Sequence, residues 1–149
     1  MNIARNKYKE QNPKIIDKID NWDDITFLDK ARITISGKIT HTALILLGKE
    51  EASHFLLPSI SQITWKLESS EKAYEHFGIP FILSTTKLLH QIRNIKYKFF
   101  PDNELLATTV NKYESKVILE ALHNCIAHQD YSLNSRILVT EQDDFLVFT

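Results

Sequence analysis

Glu120 and Asn124 stand four residues apart in the segment Glu120-Ala-Leu-His-Asn-Cys-Ile-Ala-His-Gln-Asp-Tyr131. On a helix that spacing projects a carboxylate and a carboxamide side by side from one face. Such a pair suits two tasks, holding a hydrated cation or aligning a water. Val117, Ile118, Ala121, Leu122, Cys125 and Ile126 form an apolar stripe on the opposite side, which turns the polar pair away from the core. The helix then leaves through the polar cluster His128-Gln129-Asp130-Tyr131. His123, His128 and Asp130 are candidate ligands for a hydrolytic zinc. The two histidines, however, lie five positions apart and so about 140° round the helix, a poor arrangement for chelation.

A second constellation is basic. Lys87, Arg93, Lys96 and Lys98, interleaved with Tyr97, Phe99 and Phe100, could contact phosphates along a nucleic-acid backbone. The formal net charge is −1, without the basic excess usual in such binders, so only a local strip is available. A solvated helix face ending in core aromatics is the simpler account of the same residues. An interaction or dimerisation segment using Phe99 and Phe100, or a hairpin edge, is a further alternative. Ser132, Ser135 and Thr140 lack the glycine-flanked elbow that exposes a serine nucleophile.

These residues need a scaffold, and 149 residues with 43% hydrophobic content can build one core or two small lobes. The longest apolar run, Ala43 to Leu47, is too short to cross a bilayer, and no signal peptide is visible. No membrane partner is expected, and the cytoplasm is the expected compartment. Cys125 is the single cysteine, so no intrachain disulfide forms; its place on the apolar stripe reads as a small buried hydrophobe. Three glycines, none after Gly78, leave no phosphate-cradling loop of the Walker or dinucleotide kind.

The pattern predicts a partly ordered lead-in over residues 1–24 with a short helix near Ile15, Ile16 and Ile19. A turn follows at Ser36-Gly37-Lys38, and Thr40 caps a helix from His41 to Leu47 that Gly48 stops. Ile60 to Leu67 alternates as a half-buried strand. Glu71 to Phe77 reads as a short helix closed at Gly78, and Pro80 opens a longer one through Ile92. Glu104 to Val110 reads as a strand, and Asn111 with Glu114 as a capping-box start for the helix that carries Glu120. Arg136 to Thr140 and Phe145 to Phe148 make an antiparallel hairpin joined by Glu141 to Asp144. The expected fold is α+β, helices on a small mixed or antiparallel sheet with a C-terminal hairpin. A seam is expected near residues 68–72.

Glu120-Ala121-Leu122-His123-Asn124, followed by His128-Gln129-Asp130-Tyr131-Ser132, resembles a motif of a bacterial and archaeal group of transcriptional regulators. These join a Schlafen/AlbA-type DNA-binding module to an ATPase-like domain described as RecG-helicase C-terminal-like. The stretch Thr40 to Lys49, and Pro58 with Gln62-Ile-Thr-Trp65, is similar to further segments of that group, so the likeness spans roughly residues 25–149. The ATPase-like domain is related to the GHKL superfamily. The resemblance implies that Glu120 aligns the attacking water and Asn124 holds the magnesium of a Mg-ATP cofactor, with His128 and Asp130 in the same site. Ala127 stands where the wider superfamily often has an acid. The resemblance also implies a middle portion of a longer protein: residues 1–24 as linker, 25–70 as a connecting α+β region, and 71–149 as the opening of a GHKL-like domain ahead of its glycine boxes. ATPase activity then belongs to the whole protein, DNA is its partner through the remaining domains, and this chain alone is expected neither to hydrolyse nor to hold ATP tightly.

Overall fold

The computed structural model describes residues 1–102 and 106–149 as an α+β fold. Its N-terminal part is helical. Helices α1 (Asn2–Gln11), α2 (Ile16–Asn21) and α3 (Asp24–Lys30) enclose a small core of Ala4, Ile19 and Phe27. The expected partly ordered lead-in is therefore a ten-residue helix. Its polar composition hides this because Ala4 alone on it is fully buried. Tyr8 meets Phe27 edge-on at 5.6 Å, and the Arg5 guanidinium lies 4.7 Å from the same ring. Arg5 also donates to the Ile19 carbonyl at 3.0 Å and pairs with Asp24 at 2.7 Å. One arginine thus ties all three helices together.

The turn at Ser36-Gly37 is a two-residue reversal with φ of 51° and 72°, bridged by Ile35 and Lys38. Paired positive φ values define the tight hairpin turn that glycine accommodates without strain. The Asp29 carboxylate secures it, accepting from the Gly37 amide at 2.9 Å and the Thr34 hydroxyl at 2.5 Å. Helix α4 (His41–Leu47) follows, with Thr40 accepting from the Ala43 amide at 3.1 Å. Gly48 ends it for a steric reason. Its φ is −62°, but a Cβ there would sit 2.4 Å from the Leu44 carbonyl oxygen.

The main sheet has the order β2-β1-β5-β6. Strand β1 (Ile63–Glu68) pairs antiparallel with β2 (Lys72–Phe77) and parallel with β5 (Ile137–Gln142), and β5 pairs antiparallel with β6 (Leu146–Phe148). The register sets Ile63 beside Ile137 and Trp65 beside Val139. Paired residues share a face, and Phe81, Leu88 and Ile92 of the α5 (Phe81–Gln91) region, with Ile118 and Leu122 of α6 (Ser115–His128), join these side chains in the larger core. A separate antiparallel ribbon is formed by β3 (Lys96–Phe99) and β4 (Thr108–Asn111).

Glu71 to Phe77 is a strand, not a helix. Only Phe77 on it is buried, so no helical stripe exists to pack, whereas the open edge of β1 offers a full ladder. The Thr64 hydroxyl bonds His76 Nδ1 across that ladder at 2.9 Å. The seam near residues 68–72 is consequently the turn of a β-hairpin, and the sheet runs across it. Helix α6 starts at Ser115 with Glu114 at its N-cap and no side-chain cap bond, while Asn111 ends β4. Asn94 instead holds the residue before the N-cap: it accepts from the Tyr113 amide at 2.9 Å and donates to its carbonyl at 2.7 Å. The strand expected from Glu104 is seen as Thr108–Asn111, Glu104 itself lying outside the described residues.

Candidate functional site

Helix α6 carries the motif. Ile118 and Leu122 are buried in the core and Cys125 and Ile126 pack partly against it, while Glu120 and Asn124 are exposed together on the solvent side. Val117, expected on the apolar stripe, is exposed as well, because that flank of the first turn has nothing packed on it. Burial pushes the Cys125 thiol above its ordinary pKa.

The polar exit is well organised. Asp130 accepts from the Ser132 amide at 2.9 Å and hydroxyl at 2.6 Å, and those two bonds hold its carboxyl below the usual carboxylate range. Gln129 donates to the Ser135 hydroxyl at 2.5 Å. The Tyr131 hydroxyl donates to the Ile126 carbonyl at 2.9 Å, and desolvation pushes its pKa up to about 12. His128 and Asp130 are both exposed, His128 as the last residue of α6 and Asp130 beyond it. Among the described residues, no three His, Cys, Asp or Glu side chains are grouped to hold a metal. A magnesium bound through one amide and a nucleotide's phosphate oxygens does not need such a cluster.

The basic constellation divides. Lys87 is exposed on α5, and Lys96 and Lys98 are exposed on the ribbon. Arg93 is committed elsewhere: its Nε donates to Glu141 at 3.1 Å, its backbone amide reaches the same carboxylate at 3.3 Å, and Glu71 lies 3.8 Å from its guanidinium. Glu141 is only 3% exposed and also accepts from the Trp65 indole at 3.0 Å. Sequence reading assigns Glu141 to the hairpin connection; its pairing opposite Leu67, a core position on β1, is what carries it inside.

A cleft of about 570 Å³ lies elsewhere on α6. Phe81, Ile82, Ile45 and Ile126 supply apolar wall, and Lys7, His41 and His123 stand along it. Ala127, seven residues after Glu120 and so about two turns along the same side, also lines it. Desolvation, and then the Lys7 ammonium, hold the His123 imidazole below its ordinary pKa. Thr85 lines this cleft too, with its hydroxyl buried beneath the wall and without a hydrogen-bond partner among the described residues. No motif announced this site, since its residues come from five separate stretches of the chain.

A sequence profile of a family described as "Domain of unknown function (DUF8451)" matches residues 1–63. The match runs from α1 to the first residue of β1 and leaves out α5, α6 and the rest of the sheet. No curated protein matches the chain. No solved structure matches it either. Among the described residues, no helix is long and apolar enough to cross a membrane.

Proposed function

We propose that this chain supplies the glutamate and asparagine half of a Mg-ATP site in a DNA-associated transcriptional regulator of the cytoplasm, with a GHKL-like ATPase region. One observation carries the reading. Glu120 and Asn124, the two residues whose chemistry the motif requires, are both open to solvent on one side of a helix whose other side is core. In this role Asn124 gives an amide oxygen to magnesium that remains partly hydrated, and Glu120 orients the water attacking the terminal phosphate. The Asp130-Ser132 turn and the β5–β6 hairpin follow in the order the resemblance expects.

An exposed pair outside the described cleft does not surround a nucleotide or exclude water from its phosphates, so weak binding is the expectation. The test is an NMR titration of the chain with ATP and magnesium together. A millimolar, saturable shift of the Asn124 side-chain amide that disappears in Asn124→Ala supports the reading. No shift there in the folded chain overturns it, and so does low-micromolar affinity that survives Asn124→Ala.

A second reading, nucleic-acid contact, draws on the ribbon. In its register Lys96 and Lys98 share a face with Asn111 and Thr109, while Tyr97 and Phe99 share the other with Val110 and Thr108. Neither strand holds an acidic residue.

A further inference from the structure

We propose that the groove between α1, α4, α5 and α6 is a binding site for a small apolar carboxylate, of the medium-chain aliphatic or aryl acid type. The inference stands apart from the Mg-ATP reading, since neither Glu120 nor Asn124 lines the groove.

Volume and lining point to a small molecule. About 570 Å³ falls within the range of sites that bury a drug-sized ligand, and apolar side chains with a few convergent polar groups are the usual composition. Charge selects the kind of molecule. Lys7, His41 and His123 line the groove, and among the described residues no carboxylate does. A cation with no acid facing it favours an anionic guest, and a charge-assisted bond from Lys7 to a carboxylate is stronger than one to a neutral hydroxyl. Thr85 lines the groove through the rest of its surface, its hydroxyl being buried beneath the wall.

The groove also draws on residues inside and outside the stretch matched by the family profile. Lys7 and His41 belong to the stretch matched by the family profile, whereas Thr85 and His123 lie outside it. Occupancy therefore spans both parts of the chain.

Decanoate, kept below its micelle concentration, is a suitable probe, with decanol as its uncharged counterpart. Calorimetry on the intact chain is expected to show saturable decanoate binding about tenfold tighter than decanol. Amide shifts are expected at Lys7, Thr85, His123 and Ala127. Lys7→Glu removes the preference for the acid, and Ala127→Trp, which fills the groove from an exposed position, removes binding of both. Equal affinity for decanoate and decanol overturns the proposal, as does the absence of saturable binding in the folded wild-type chain. Full binding by Ala127→Trp moves the site elsewhere and overturns it too.

Discussion

Glu141 sits inside a sheet, where a charge is costly unless it is answered by donors. Three donors answer it: the Trp65 indole, the Arg93 guanidinium and the Arg93 backbone amide. Together they link β1, β5 and the segment after α5, so the carboxylate joins parts of the chain that are remote in sequence. Arg93 remains 44% exposed, and solvent screens the ionic part of the interaction. The hydrogen bonds are the larger share. Glu141→Ala strands the buried indole N–H and the Arg93 amide, and is expected to destabilise the fold by about 2 kcal/mol in urea denaturation. Glu141→Gln keeps an acceptor for Trp65 and is expected to lose roughly half as much. An unchanged midpoint in Glu141→Ala shows that these bonds contribute nothing net. The same pairing explains why Arg93 does not belong with Lys87, Lys96 and Lys98 as a free phosphate contact: its guanidinium already serves the core.

At the scale of elements, the β3–β4 ribbon and helix α6 present the two surfaces on which the proposed readings rest. The ribbon's polar face offers two lysines, Lys96 and Lys98. If it is a nucleic-acid surface, Lys96→Glu with Lys98→Glu should weaken binding to a short duplex and reduce the salt slope by about 2, one unit for each phosphate no longer neutralised. Fluorescence anisotropy across a salt series reads this, and an unchanged slope removes the ribbon from consideration. The elements that could be read from sequence are those with a local cause. Thr40 and Gly48 bracket α4 through contacts within that helix, and the alternation in Ile63-Thr-Trp-Lys-Leu67 matches β1. The C-terminal hairpin was likewise evident, although Glu141 proved to be strand rather than connection. What escaped has distant causes. Strand β2 exists because β1 offers it an edge, and α1 hides its narrow buried stripe among polar residues. The approach to α6 is tied down by Asn94, nineteen residues before Tyr113. Of the candidate site, the Glu120/Asn124 face followed from helical spacing alone, but the groove depends on tertiary packing and left no sequence signature.

At the scale of the whole molecule, two cores meet where Leu47 and Ile82 pack against the small N-terminal cluster while their helices border the larger one. The groove opens along this junction, so groups at its edge report on the junction through their ionisation. Tyr131 is the clearest. Its pKa is pushed up to about 12 by desolvation, against an ordinary value of 10.0. Below pH 10 the phenol is protonated in both folded and unfolded chains and has no pH-dependent effect. As pH rises from about 10 toward about 12, the unfolded chain loses the proton first, which favours unfolding. The loss is expected to be on the order of 2 kcal/mol across that window. His123 acts at the other end. Its pKa is lowered by desolvation and then by Lys7, so the unfolded chain takes up a proton first as pH falls below its ordinary 6.5. Stability is therefore expected to decline on the acid side as well, and to be greatest between these limits as far as the two groups are concerned. Tyr131→Phe keeps the ring but removes the ionising group together with the bond to the Ile126 carbonyl. The variant should be less stable at neutral pH, and its deficit should shrink as pH climbs from 10 to 12, because wild type alone carries the penalty there. Urea denaturation of both proteins at several pH values measures that convergence. Parallel curves would mean that the Tyr131 hydroxyl titrates alike in folded and unfolded chains, and that it is not sequestered where the two cores join.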